Sequence, residues 1–240
     1  MDHKFNQWLT IPLLSYYFLF KQIKGLGNTE ESVKWYREVL SSDSTHVEAI
    51  ACLATNYFYN DQPEVALKFF RRLLQMGVHN SELFTNIGMC CFYAQQYDLI
   101  FECFERALSL ASTDMQRADT WYNLGHVALG VGDSSLAYQC FRLCLAFNAD
   151  CAEAYNNLGV LEMAHQRFDL AKAFFQAAQT LQGAQSFMFE PFYNNGFLAQ
   201  SQGDLQTSFQ SLKQASQLFP GHASTKELLK ELEEKFSVLW

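Results

Sequence analysis

The sequence predicts an all-α fold, a solenoid of about six helix pairs closed by a C-terminal capping helix. Three observations predict it. Trp121-Tyr122-Asn123-Leu124-Gly125 returns 34 residues later as Tyr155-Asn156-Asn157-Leu158-Gly159, and a repeat of that period is one supersecondary unit that must stack on its neighbours to bury its apolar faces. Small and large residues alternate at fixed places within the period, as two closely approaching helices require. The last fifteen residues, KELLKELEEKFSVLW, place Leu229, Leu232 and Phe236 on one stripe with charge opposite, which is what a terminal cap needs.

Numbering each unit 1 to 34, the pattern is an aromatic at 4, Leu at 7, Gly or Ala at 8, Ala at 20, an aromatic at 24 and Ala at 27. This is the pattern of tetratricopeptide (TPR) repeats, and it implies a right-handed superhelix. Residues 1–12 read as an irregular or truncated N-terminal segment, 13–222 as the repeat array and 223–240 as the cap. The unit from Leu13 gives Tyr16, Leu19, Phe20, Ser32, Tyr36 and Val39. The unit from Val47 gives Ile50, Leu53, Ala54, Ala66, Phe70 and Leu73, and the one from Ser81 gives Phe84, Ile87, Gly88, Ile100, Phe104 and Ala107. Ala118 opens Trp121, Leu124, Gly125, Ala137, Phe141 and Cys144, and Ala152 opens Tyr155, Leu158, Gly159, Ala171, Phe175 and Ala178. The unit from Phe189 is degenerate, with Phe192, Asn195, Gly196, Ser208, Leu212 and Ala215. Gly132-Asp133 and Gly203-Asp204 mark turns inside units. Gly88 to Gly125 and Gly159 to Gly196 are each 37 residues apart, so three extra residues are expected in loops around Asp114 and Ser186, where insertion is tolerated.

Composition narrows the function. At 49% apolar residues the chain is too hydrophobic for disorder. Seventeen Lys and Arg against 25 Asp and Glu give a net charge of −8, which argues against nucleic acid and against electrostatic attachment to anionic lipid. The apolar run Ile11 to Phe20 is about half of the ~20 residues a membrane span needs, so no transmembrane segment is expected. Seven cysteines include Cys52, Cys140 and Cys144 at small apolar packing positions, which suits a reducing compartment. Cys140 and Cys144 lie one helical turn apart, but no Cys/His set completes four ligands. No phosphate-cradling loop, zinc-protease motif, nucleophile elbow or C-x-x-C occurs; Gly25-Leu26-Gly27 lacks the third glycine. The expectation is a non-enzyme with no cofactor and no metal.

Position 2 is acidic in five units (Glu48, Glu82, Asp119, Glu153 and Glu190), and positions 25 or 26 are basic in most (Arg37, Arg71, Arg72, Arg106, Arg142 and Lys213). Two readings stand side by side: complementarity to helix dipoles, and an acidic rail for basic partners. In the TPR family the first helix of each unit lines a concave face. The candidate protein-binding surface is therefore Glu82, Asn86, Asp119, Tyr122, Asn123, His126, Glu153, Asn157, Met163, Tyr193, Asn194 and Phe197. The amides of Asn86, Asn123, Asn157 and Asn194 recur at position 6, placed either to hydrogen-bond an extended peptide or to bond their own neighbours. TPR modules that clamp a C-terminal carboxylate use Lys and Arg at positions this chain leaves acidic or neutral, with His126 alone titratable.

Stretches that packing does not dictate carry a closer resemblance. GNTEESVKWYREVL (27–40), CCFYAQQYD (90–98), WYNLGHVALGVGD (121–133), CFRLCLAFNADCAEAYNNLGVLEM (140–163) and FEPFYN (189–194) resemble the C-terminal half of the TPR subunits of the Bardet–Biedl syndrome complex, the BBSome. The resemblance implies a non-catalytic scaffold in a coat-like adaptor that moves membrane proteins to and from the primary cilium. Its implied partners are other BBSome subunits (β-propeller and TPR proteins), membrane-protein cargo and an Arf-like GTPase met through the complex. Its implied location is the cytoplasm, the centrosome or basal body, and the cilium. The alternative is a stand-alone peptide-binding or co-chaperone-like module. A complex subunit is expected to expose apolar surface, with Phe187, Phe189, Trp240 and the run Tyr16 to Phe20 as candidates.

Overall fold

The computed structural model describes residues 29–181 and 188–239. Among them run twelve α-helices and no strand: α1 (Thr29–Ser42), α2 (Val47–Tyr59), α3 (Pro63–Gln75), α4 (Ser81–Tyr93), α5 (Ile100–Leu110), α6 (Asp114–Gly130), α7 (Ser134–Phe147), α8 (Ala152–Ala164), α9 (Phe168–Thr180), α10 (Glu190–Ser201), α11 (Leu205–Leu218) and α12 (Ala223–Leu239). A 3₁₀ turn, Tyr97–Leu99, precedes α5. The expected segment 1–12, the first helix of the unit from Leu13, the loop at Ser186, Phe187 and Trp240 all lie outside the described residues.

The helices fall into two compact units, Met1–Val131 and Gly132–Trp240. In the first, α2 and α3 form a hairpin, as do α4 and α5; α3 packs on α4, and α6 packs on both α4 and α5. In the second, α8 with α9 and α10 with α11 form hairpins, α9 packs on α10, and α12 lies on α11.

The register of the repeats is written in burial. Position 24 (Phe70, Phe104, Phe141, Phe175, Leu212) and position 27 (Leu73, Ala107, Cys144, Ala178, Ala215) are at most 1% exposed in all five units. Each large side chain so buried contributes about 1.5–3 kcal/mol. The small residue at position 8 makes room for it. A Cβ on Gly159 would lie 2.5 Å from a ring carbon of Phe175, and one on Gly88 would lie 2.9 Å from Phe104. The helices of a pair approach this closely because that atom is missing.

The turn inside each unit places position 15 in the left-handed region: Asp61, Gln95 and Gln166 at φ near 60°, and Gly132 and Gly203 at φ above 80°. Only the glycine pair announces this in sequence. Asp133 and Asp204 then cap the next helix, accepting hydrogen bonds from the backbone N–H of Leu136 and Thr207 at 2.9 and 3.0 Å.

One expectation fails at residue 114. The extra residues there do not lengthen a loop; they add a turn to α6, which has 17 residues where α2, α4 and α8 have 13. The cause is a capping box. Thr113 accepts from the backbone of Gln116, whose side chain accepts from the backbone of Thr113, so two orphan donors are satisfied at once. The helix-dipole reading is revised with it. Asp114, not Asp119, occupies the first turn of α6, and Arg72 alone of the six basic residues lies in the last turn of its helix.

Candidate protein-binding surface

In the first unit, Glu82 and Asn86 lie one turn apart on α4, both half-buried. Gln116 Nε2 donates to Glu82 Oε1 at 2.5 Å, tying α4 to α6. Behind this bond the two helices share buried hydroxyls: Thr120 Oγ1 stands 3.4 Å from Ser81 Oγ and 3.3 Å from Thr85 Oγ1. On α6 Asp119 is half-buried, but Tyr122 and Asn123 are only 9% and 1% exposed. The reason is that α6 packs against both α4 and α5. The Asn123 amide donates to the carbonyl of Asp119 at 2.8 Å, bonding its own helix. His126 meets the ring of Tyr122 edge-on, with centroids 4.7 Å apart. Burial depresses its pKa to about 4, so at neutral pH it offers no positive charge to a carboxylate.

In the second unit, Glu153 and Asn157 are half-buried on α8, and Glu153 lies 3.7 Å from the thiol of Cys151. Asn194 donates to Asn156 Oδ1 at 2.9 Å and joins α10 to α8. The position-6 amide here bonds the neighbouring repeat. Met163 packs against the cluster Ala171, Phe175 and Leu198, turned toward the core. Tyr193 stacks on Phe197 at 6.5 Å and meets His222 edge-on at 4.9 Å. Phe197 is 43% exposed. Phe189, expected to be exposed, stacks on Phe219 at 5.1 Å and is half-buried.

Within the two units the accessible members of the set are acids, amides and aromatics, without a cation. Such a lining suits polar or basic protein segments and disfavours anions. Sequence reading overlooked two features. Glu162 is fully buried on α8 and meets Arg167 Nε at 2.5 Å, and nothing in its place at position 11 announced a buried acid. The other is a ladder of rings in the first unit: Phe58 on Tyr93, Tyr93 on Phe92 and Phe92 on Tyr97, with centroids 5.1 to 6.3 Å apart. Tyr93 and Tyr97 are more than half exposed. The aromatic doublets Phe58-Tyr59 and Phe92-Tyr93, at positions 12 and 13 of successive units, were the available signal.

The described residues contain no helix long and apolar enough to cross a membrane, and no group of three or more His, Cys, Asp or Glu placed to hold a metal ion.

Repeat register, hairpin packing and left-handed turns define the class: this is a tetratricopeptide-repeat protein, and residues 118–151 and 152–185 match the tetratricopeptide repeat model. Among individual proteins, the chain is similar to tetratricopeptide repeat protein 8 of Mus musculus, 51% identical over 214 residues, which is 89% of this chain and 41% of the relative. It is similar to the protein of the same name from Homo sapiens, again 51% identical over 89% of this chain and 39% of the relative. The chain thus spans about two fifths of the length of the curated relatives it matches. More distantly, 135 residues are 22% identical to BBSome complex member BBS4 of Bos taurus, covering 56% of this chain and 25% of that one. Among solved structures, the type IV pilus biogenesis factor PilW superposes with a TM-score of 0.68 at 19% identity, covering 93% of this chain and 99% of that one, a likeness of fold alone.

Proposed function

We propose that this chain is a non-catalytic scaffold component of a BBSome-type adaptor, which carries membrane proteins to and from the primary cilium. The observation that carries the reading is the 51% identity to tetratricopeptide repeat protein 8 along 89% of the chain; the similarity to a BBSome complex member supports it. Stacked helix pairs present wide surface, which suits a chain whose work is to hold partners in register. The partners proposed are β-propeller and TPR subunits of the complex, with cargo and an Arf-like GTPase reached through it. The proposed surface comprises the accessible members of the candidate set together with the exposed ring ladder of the first unit, which is the kind of apolar surface subunits bury on assembly. The proposed location is the cytoplasm, basal body and cilium.

Affinity purification of the tagged chain from ciliated cells, followed by mass spectrometry, tests the reading. Co-purification of propeller and TPR subunits is the expected result. Recovery of chaperones alone would overturn it in favour of a stand-alone module.

A further inference from the structure

The rings of the first unit run along one rim. Phe58, in the last turn of α2, meets Tyr93 edge-on at 5.4 Å. Tyr93 meets Phe92 at 5.1 Å in the last turn of α4, and Phe92 meets Tyr97 of the following 3₁₀ turn at 6.3 Å. The ring of Phe92 also fills the space that a Cβ on Gly130 would need, at the end of α6. The first helices of three successive repeats thus bring their C-terminal ends to one aromatic strip. Tyr93, Tyr97 and Val131, the residue that follows α6, are each more than half exposed. Ring and apolar area therefore remains for a partner.

The electrostatics of this rim point one way. A helix C-terminus carries partial negative charge that a basic residue in the last turn offsets, and α2, α4 and α6 have no basic residue there. Helices α3 and α5 begin at the same turns, but their positive ends meet the chain's own acids: Glu64 and Glu102 in the first turns, with Asp98 in the 3₁₀ turn. Asp61 adds an exposed acid between α2 and α3. Residues 55–67 and 85–105 contain no lysine or arginine. Arg71 reaches in from α3 and donates to Gln96 Oε1 at 3.3 Å, which leaves the four acids in excess of one engaged cation.

We infer that this strip docks an arginine-bearing segment of a partner protein. A guanidinium is planar and stacks on a tyrosine face, where the ring quadrupole attracts its charge. Its five N–H donors can at the same time reach carboxylates and the carbonyls of a helix end. The apolar stem of the arginine covers Val131 or the ring edges while the head meets the acids. Tyrosine and arginine are the side chains on which interface energy concentrates. The inference names the partner chemistry for the ring ladder and rests on the proposed function only in taking that ladder as a contact surface.

The test measures binding of a fluorescein-labelled peptide of alternating arginine and alanine to the full chain by fluorescence anisotropy. A matched peptide carries citrulline, which keeps the shape of arginine without its charge. The arginine peptide is expected to bind and the citrulline peptide to lose most of the affinity. Tyr93→Leu and Tyr97→Leu keep an apolar side chain at exposed positions, and each is expected to weaken binding about two- to five-fold, the usual worth of an exposed cation–π contact. Tyr97→Trp is expected to preserve or tighten it. Circular dichroism checks that the variants keep their helices. Equal binding of the two peptides would overturn the inference. So would an affinity unchanged in the double leucine variant, or one abolished instead by charge reversal at Glu82, Asp119 and Glu153. The same double variant, purified from ciliated cells, separates the two readings. Undiminished recovery of propeller and TPR subunits overturns the inference and leaves the proposed function standing, whereas recovery of chaperones alone by the unmodified chain overturns the function.

Discussion

Gly159 shows how one atom sets the distance between two helices. The side chain it lacks would stand 2.5 Å from the ring of Phe175, a residue with no solvent exposure and no room to retreat. Gly159→Ala is expected to destabilise the chain by about 1–3 kcal/mol, the usual cost of overpacking, measured as a lowered urea midpoint at unchanged m-value. His126 sets a pH dependence. Its folded pKa, about 4, is below the unfolded value near 6.5. Between these values the unfolded chain binds the extra proton, so stability rises with pH across that window and is lost as pH falls from 6.5 toward 4. The loss amounts to roughly 3 kcal/mol at most, at 1.36 kcal/mol per pKa unit. His126→Gln, which stays neutral throughout, is expected to flatten stability measured between pH 4 and 6.5; a curve parallel to that of the unmodified chain would refute the assignment. At this scale the sequence was legible where a small residue faces a large one. It was silent on Tyr122 and Asn123, because their burial comes from two other helices rather than from their own.

For the elements, periodicity located the helices but missed one boundary. Counting residues assigned the extra three near Asp114 to a loop, whereas the Thr113-x-x-Gln116 box makes them helix. The box was present in the sequence as a local hydrogen-bonding pattern, and counting the period alone passes over it. Thr113→Ala is expected to cost about 1 kcal/mol and to speed amide hydrogen exchange in the first turn of α6 while leaving α8 unchanged. Since Gln116 also holds Glu82, the same substitution is expected to loosen the α4–α6 contact, visible as faster exchange around residues 82–86. The turns behave similarly. Gly132 and Gly203 announced their left-handed backbone, whereas Asp61, Gln95 and Gln166 adopt it without a sequence signal because the hairpin on either side enforces it.

For the whole molecule, the testable matter is charge. The net charge of −8 and the acids on the candidate surface favour basic partner segments, with an attraction that salt screens over about 8–10 Å. Charge reversal at Glu82, Asp119 and Glu153 together is expected to weaken capture of propeller and TPR partners and to flatten its salt dependence, read by binding at two ionic strengths. Unchanged binding would assign these residues to intrachain roles alone, as Gln116 already suggests for Glu82. The amino-acid sequence by itself determined the helical class, the repeat register and the kinship to BBSome-type TPR subunits, because each is encoded in local periodicity or in loop residues that packing does not require. Only the tertiary structure decided which face of each first helix reaches solvent and which asparagines are consumed by their neighbours. Those outcomes depend on how a third helix covers a hairpin, and a period of 34 residues carries no record of that.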